Sequence, residues 1–247
     1  MNPTLELLNR RKSVRVYTEQ EISSECRQAI LNAAIQAPSA GNMTMYTILN
    51  ITDPAIQAAL AESCDHQPFI AQAKMVLVFC ADVHRWMDVF TKYVDAVRRP
   101  AEGDLLLAQQ DTLIAAQNAA VAAESLGIGT CYIGDIIERF EYHRELFGLP
   151  DHVVPTCMLC FGYPTQQQID RPKPPRFRVS DIVHENRYDD TRDMAQMLKD
   201  RNGFTEEALS DWVQRFCKRK WNGDFSREMS RSAAALIQSW CGKKNRD

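Results

Sequence analysis

Apolar residues fall into two kinds of run along this chain. Short continuous runs, Met45–Ile51, Val76–Cys80, Ile128–Ile133 and Val153–Phe161, have strand length and are bounded by turn formers. Continuous apolar character at that length predicts strands buried on both faces. Between them lie longer segments with helical spacing. Asn2 precedes Pro3 and a Leu5/Leu8 stripe, the pattern of a capped helix start. Ser23 or Ser24 caps a helix bearing Ile30, Ala34 and Ile35, which must end before Pro38. Asp53-Pro54 opens a helix over Ala55–Ser63, and Asp82 is placed to cap one bearing Trp86, Phe90 and Tyr93. Asp104–Leu126 is the longest helix. Its alanines and leucines surround most of its circumference, which predicts burial in a core or in a seam between copies. Ile136–Phe147 is helical and stops at Gly148. Ser180–Tyr188 reads as extended, and helices follow over Asp190–Lys199, Thr205–Lys220 and Asp224–Cys241.

Strands separated by helices predict α/β or α+β architecture, with a central sheet covered on both faces. The composition, 45% hydrophobic and 25% charged over 247 residues, is ordinarily globular. A net charge of -3 argues against a general nucleic-acid binder and against attraction to anionic membranes. No run approaches ~20 apolar residues, so no membrane span is expected, and no N-terminal apolar run with a cleavage site suggests a secretion signal. The eight cysteines are scattered through apolar surroundings. They suggest free thiols in a reduced, cytoplasmic setting. Cys157 and Cys160 have CxxC spacing but sit in a strand, where residues three apart face opposite sides. No second pair with metal-ligand spacing accompanies them, so no metal is expected.

Basic residues are few but localised. Arg10, Arg11 and Lys12 follow the first helix, and Ser13, Val14, Arg15, Val16 and Tyr17 then look extended, with Arg15 opposite Val14 and Val16. Point charges plus directed donors within about 20 Å suit a phosphate; a solvated face complementing a helix dipole explains the same run. Arg171-Pro172-Lys173-Pro174-Pro175-Arg176 is a second cluster, stiffened by proline, and is read either as an anion clamp or as an exposed linker. Pro38-Ser39-Ala40-Gly41-Asn42 is a compact polar loop of small residues, which lets backbone approach a ligand or simply turns the chain. There is no G-x-G-x-x-G, no G-x-x-x-x-G-K-[ST] and no G-x-S-x-G, so any anion is held mainly by side chains.

The order of these motifs resembles the nitroreductase family, in its flavin-reductase-like branch with a long C-terminal extension. The resemblance rests on Arg11-Lys12-Ser13-Val14-Arg15, Ala37–Asn42, Gln67, Tyr132-Ile133-Gly134-Asp135, Gly162-Tyr163-Pro164 and the Lys173/Arg176 loop. It implies an α+β fold with a central, mostly antiparallel sheet flanked by helices. Residues 1–188 would form an FMN-binding domain, and 189–247 a helical extension packed on it. It further implies FMN as cofactor, NAD(P)H as cosubstrate, and a homodimer with FMN at the subunit interface. Arg11, Lys12 and Ser13 would hold the phosphate, with Lys173 and Arg176 closing on it and Arg171 competing with Lys173. Arg15 would reach the flavin N1 edge and Gln67 the pyrimidine edge. Pro38, Ser39 and Asn42 would come from the other subunit. Gly134 or Asp135 would offer a backbone N–H to flavin N5, with Tyr132 nearby.

Reduced flavin carries negative charge near N1, so a fixed guanidinium there favours reduction, and the cofactor rather than a side chain supplies the chemistry. The implied activity is ping-pong hydride transfer from NAD(P)H to small flat acceptors: nitroaromatics, quinones or flavins. A specialised ene-reductase or reductive dehalogenase, and a non-enzymatic flavin-binding module, are the alternatives. Lys218, Arg219 and Lys220 are candidates for a nucleotide phosphate or a solvated helix end.

Overall fold

The computed structural model describes residues 2–242; the end of the expected extension, residues 243–247, lies outside the described residues. Its contacts define two compact units. One runs to Arg171 and resumes at Glu228; the other is Pro172–Arg227. Most of the last helix belongs to the first unit.

The first unit is built on a four-stranded sheet, β1 (Tyr46–Ile51), β2 (Met75–Asp82), β3 (Gly129–Ile133) and β4 (Val153–Gly162), in the order β1-β2-β4-β3. Every neighbouring pair is antiparallel. β2 and β4 are buried at every position, which is why their sequences read as unbroken apolar runs. Their side chains still alternate. Val76, Val78, Met158 and Cys160 enter one apolar cluster, with Leu60, Ile70 and Ile133. Leu77, Phe79, Cys157 and Leu159 enter another on the opposite face, with Ile30. Cys157 and Cys160 thus face opposite sides, as their spacing requires. The β2–β4 register shifts between Phe79 and Cys80, where Thr156 is skipped beside Pro155. A bulge tolerates a proline that cannot donate to the ladder.

The helices of this unit are α1 (Pro3–Arg10), α2 (Ser24–Ile35), α3 (Pro54–Ser63), α4 (Phe69–Gln72), α5 (His84–Tyr93), α6 (Glu102–Ser125), α7 (Phe140–Phe147) and α8 (Gln166–Asp170). Asn2, Ser23 and Asp53 cap α1, α2 and α3 through their side chains. Asp82 does not cap α5. It ends β2, accepts from Thr47 Oγ1 at 2.5 Å, and leaves Val83 at the cap position. The expected Ile136–Phe147 helix is broken: a short turn over Asp135–Ile137 is separated from α7 by Arg139 in left-handed conformation, φ 50°.

α6 lies across the sheet with Ala108, Ala115, Ala116, Ala119, Ala120 and Ala123 fully buried. Small side chains let the helix approach the strands closely. Its opposite face exposes Leu106, Leu107, Leu113 and Ile114. All eight cysteines are free thiols, and five of them are buried. Burial pushes the Cys64 and Cys157 thiols up to about 12 and also raises Cys80, Cys131 and Cys160. No described helix is long and apolar enough to cross a membrane.

The second unit holds α9 (Val179–Ile182), α10 (Met194–Asn202), α11 (Glu206–Lys220) and the start of α12 (Asp224–Trp240). Its Ser180–Tyr188 segment is not wholly extended as read: Asp181 accepts from the Arg178 N–H at 2.8 Å and nucleates α9. Trp212 stacks on Phe216 at 4.6 Å. Lys218, Arg219 and Lys220 end α11, where cations complement the helix dipole.

Candidate functional site

The basic segment after α1 is seated on the end of the sheet. Val14 N–H donates to the Thr130 carbonyl at 3.0 Å and Thr18 N–H to that of Tyr163 at 2.8 Å. Single bridges join Ser13 to Thr130 and Tyr17 to Pro164. Two glycines make this approach possible. Gly129 and Gly162 face each other across β3 and β4. A Cβ at Gly129 would lie 2.6 Å from Val14 Cγ2, and one at Gly162 would lie 2.5 Å from Tyr17 Cδ1. Tyr17 Oη donates back to the Val14 carbonyl at 3.1 Å, and burial pushes its pKa up. Val14 is buried, but Val16 is 43% exposed. The expected pairing of Val14 and Val16 on one side fails because the segment forms isolated bridges, not a regular strand.

This seat fans the cations over β3. Arg11 Nη2 donates to Thr130 Oγ1 at 2.9 Å, and its guanidinium lies over the Tyr132 ring at 5.6 Å. Tyr132 Oη in turn donates to Gln117 at 3.1 Å. Arg15 lies over Phe69 at 5.9 Å. Lys12 Nζ donates to the carbonyls of Ile169 and Arg171, and Arg171 Nη2 donates to the Ser13 carbonyl at 2.5 Å. Arg11 Nε and Arg171 Nε are buried without a hydrogen-bond partner. Buried donors left unmade cost free energy, so a cluster of them is suited to an anion. Arg171, the competitor to Lys173, is therefore the cation after β4 that the first unit brings to Ser13. Lys173 and Arg176 belong to the second unit, where Arg176 Nη1 donates to the Pro174 carbonyl at 3.0 Å.

Gln67 sits after a strained turn in which Asp65 and His66 both have positive φ, 59° and 51°. Its N–H reaches the Ala61 carbonyl at 2.8 Å. Gln67 Nε2 donates to the Cys64 carbonyl at 2.8 Å and to Asp135 Oδ2 at 3.1 Å. Gln67, far in sequence from Gly134 and Asp135, is thus tied to the turn that follows β3. Gly134 is exposed at the head of this turn.

The Pro38–Asn42 loop is held elsewhere, by a residue that sequence reasoning missed. Asp111, on the alanine face of α6 and only 3% exposed, accepts from the Ala40 N–H at 2.9 Å and the Met45 N–H at 3.4 Å. Ser39 Oγ accepts from the Thr44 N–H at 3.0 Å, and Gly41 and Asn42 both have φ 57°. Ala40 and Met43 pack on a third cluster with Met45, Ala81 and Trp240, whereas Val14 and Phe69 pack on the first. The loop and the Arg11–Arg15 segment are thus seated on different apolar clusters. Asp111 carried a legible signal: a lone carboxylate among alanines at helical spacing.

The Nitroreductase family model matches residues 8–163. The chain belongs to the nitroreductase family. An oxygen-insensitive NADPH nitroreductase of Salmonella typhimurium is 40% identical over 189 residues, 76% of this chain and 75% of that protein. An FMN reductase (NADPH) of Bacillus subtilis is 29% identical over 242 residues, 89% of this chain and 93% of that protein. The crystal structure of nitroreductase A from Vibrio parahaemolyticus matches 99% of this chain and 100% of its own, with TM-score 0.84 and 27% identity. The antiparallel sheet flanked by helices is the fold of such solved relatives.

Proposed function

We propose that this nitroreductase is an NAD(P)H-dependent oxidoreductase that holds FMN over the end of β3 and passes hydride to flat acceptors, nitroaromatics, quinones or free flavin, in a ping-pong cycle. The observation that carries the reading is the gathering of Arg11, Lys12, Ser13 and Arg171, with two orphaned guanidinium N–H groups, beside Tyr132. These residues fit a phosphate: Lys12 brings a point charge, Arg11 and Arg171 bring planar donors, and Ser13 brings a hydroxyl.

Bound FMN supplies the hydride acceptor and donor atom. Arg15 stabilises negative charge at the N1 edge from its position over Phe69. Gln67, its amide fixed by Asp135 and the Cys64 carbonyl, presents its remaining polar atom to the pyrimidine edge. Gly134 or Asp135 offers a backbone N–H toward N5 from the turn after β3, and Tyr132 walls the site. Pro38, Ser39 and Asn42 serve the site of a second copy. The exposed leucine face of α6 gives that copy an apolar surface to cover, so the working form is a homodimer. Free, buried thiols suit a reduced cytoplasmic compartment.

The test is an anaerobic visible spectrum of the FMN-reconstituted protein titrated with NADH and with NADPH. Bleaching of the bound flavin band by either donor is the expected result. No flavin uptake, or a bound flavin that neither donor reduces, refutes the reading. Alanine variants of Arg171, Lys173 and Arg176, compared for FMN affinity, decide which of these cations serves the phosphate.

A further inference from the structure

Glu138 follows the turn after β3, its N–H donating to the Asp135 carbonyl at 3.0 Å. The residue is 7% exposed, and its Oε1 is buried with no donor. Asp135, three residues back, puts a second carboxylate on the same turn. Two carboxylates are both acceptors, so such a pair forms a hydrogen bond only when one of them carries a proton. The surroundings favour that proton. Burial, then the charges of Asp135, Asp65 and Glu228, push Glu138 up to about 7.

The other groups near the pair do not offset this. His143, on α7, is fully buried with Nε2 2.8 Å from Ser63 Oγ, and burial lowers its pKa, which favours its neutral form. The Cys64 thiol is pushed up to about 12. Arg139 turns its guanidinium over Tyr142 at 5.3 Å. Glu228 accepts from the Arg139 N–H at 3.2 Å and is engaged by Arg231 at 2.8 Å. Asp135 is at the same time the residue that fixes the Gln67 amide. The charge of the carboxyl pair is therefore felt at whatever Gln67 binds.

We propose that Asp135 and Glu138 are a proton-sharing carboxyl pair that couples proton uptake by the protein to reduction of the flavin held beside Gln67; the coupling rests on the cofactor reading above. The balance is simple. NAD(P)H delivers two electrons and one proton as hydride, and the flavin gains one negative charge. That charge raises the proton affinity of the adjacent pair, which takes one further proton from water. Asp135 and Glu138 act as positioning residues, and Glu138 touches no reacting atom.

The experiment is spectroelectrochemical titration of the FMN-loaded protein from about pH 5 to 9, spanning the range over which such a pair titrates. Wild type is expected to take up more than one proton per two electrons near neutral pH, approaching two, and to return to one at either end. Glu138→Gln, which mimics the protonated form and keeps the packing, is expected to stay at one throughout. A wild type that takes up one proton at every pH, or a Glu138→Gln variant that follows wild type, overturns the proposal. Infrared titration of the FMN-free protein tests the pair alone. A protonated-carboxyl band should persist in wild type to near neutral pH, be lost in Glu138→Gln and disappear at lower pH in Asp135→Asn. Absence of that band in wild type also overturns the proposal. A protein that retains no FMN removes the coupling together with the cofactor reading, and the band then decides the pair.

Discussion

Replacing either sheet-end glycine by alanine puts the seat of the basic segment to a direct test. The new Cβ at Gly129 would come within 2.6 Å of Val14, and that at Gly162 within 2.5 Å of Tyr17. Neither side chain has room to retreat: Val14 is 4% exposed and Tyr17 is 9% exposed, and both lie in the same apolar cluster. Relief requires lifting Ser13–Tyr17 off the sheet, against the Val14–Thr130 and Thr18–Tyr163 hydrogen bonds. Overpacking of this kind costs about 1–3 kcal/mol. If the same strain displaces Arg11 and Arg15, FMN affinity falls by about tenfold for each 1.4 kcal/mol passed to the site.

The assay pairs urea denaturation of the FMN-free protein with an FMN fluorescence titration. Gly103→Ala is the control: it lies in the first turn of α6 with nothing within 4 Å of the added carbon, and should be neutral or slightly stabilising. Val14→Ala should partly rescue Gly129→Ala, which a double-mutant cycle reads as coupling. Gly129→Ala and Gly162→Ala proteins that match wild type in both stability and FMN affinity would refute the reasoning.

Three further outcomes are expected. Because the folded-state pKa of Glu138 is raised to about 7, wild-type stability should fall as pH rises from the unfolded value near 4.5 through 7. Glu138→Gln should abolish that fall and be more stable at alkaline pH by about 1–2 kcal/mol after allowance for solvent screening; urea midpoints across this range measure it. Asp111→Ala should cost about 1–3 kcal/mol, because two backbone N–H groups lose their acceptor. Faster amide exchange at Ala40 and Met45 would locate the loss in the loop. Arg15→Ala should weaken FMN retention and slow flavin reduction by NAD(P)H in stopped flow, while leaving urea stability within about 0.5 kcal/mol, as for an exposed side chain.

The strands were legible because β2 and β4 are buried on both faces and so are written in uninterrupted apolar residues. Asn2, Ser23 and Asp53 were legible as caps because capping is local. Asp82 was misread because the same carboxylate that could cap α5 is drawn to Thr47 on the neighbouring strand, a partner no local pattern reveals. The Asp181 cap was overlooked because a single turn leaves too short a period to detect. At the site, Arg11–Arg15 and Gln67 could be singled out by residue type and order. What holds them could not: the glycine pair and Asp135 act across sequence separations that only the folded sheet closes. Arg171 and Lys173 were indistinguishable in sequence because both stand in one proline-rich run, and the hydrogen bond from Arg171 to the Ser13 carbonyl exists only in the fold.

The five buried thiols give this protein a set of internal reporters. Four of them, Cys64, Cys80, Cys131 and Cys160, sit in the apolar cluster on one face of the sheet. Cys157 sits in the cluster on the other, against which the half-buried Cys26 also packs. Burial keeps each protonated and out of reach, and a thiol reagent attacks the thiolate. The rate at which each sulfur is modified therefore counts how often its own layer opens. Where the two faces open together, Cys157 is modified in step with the other four. Where one layer loosens first, the sulfurs are modified in sequence, and the folded chain records the order of its own unfolding.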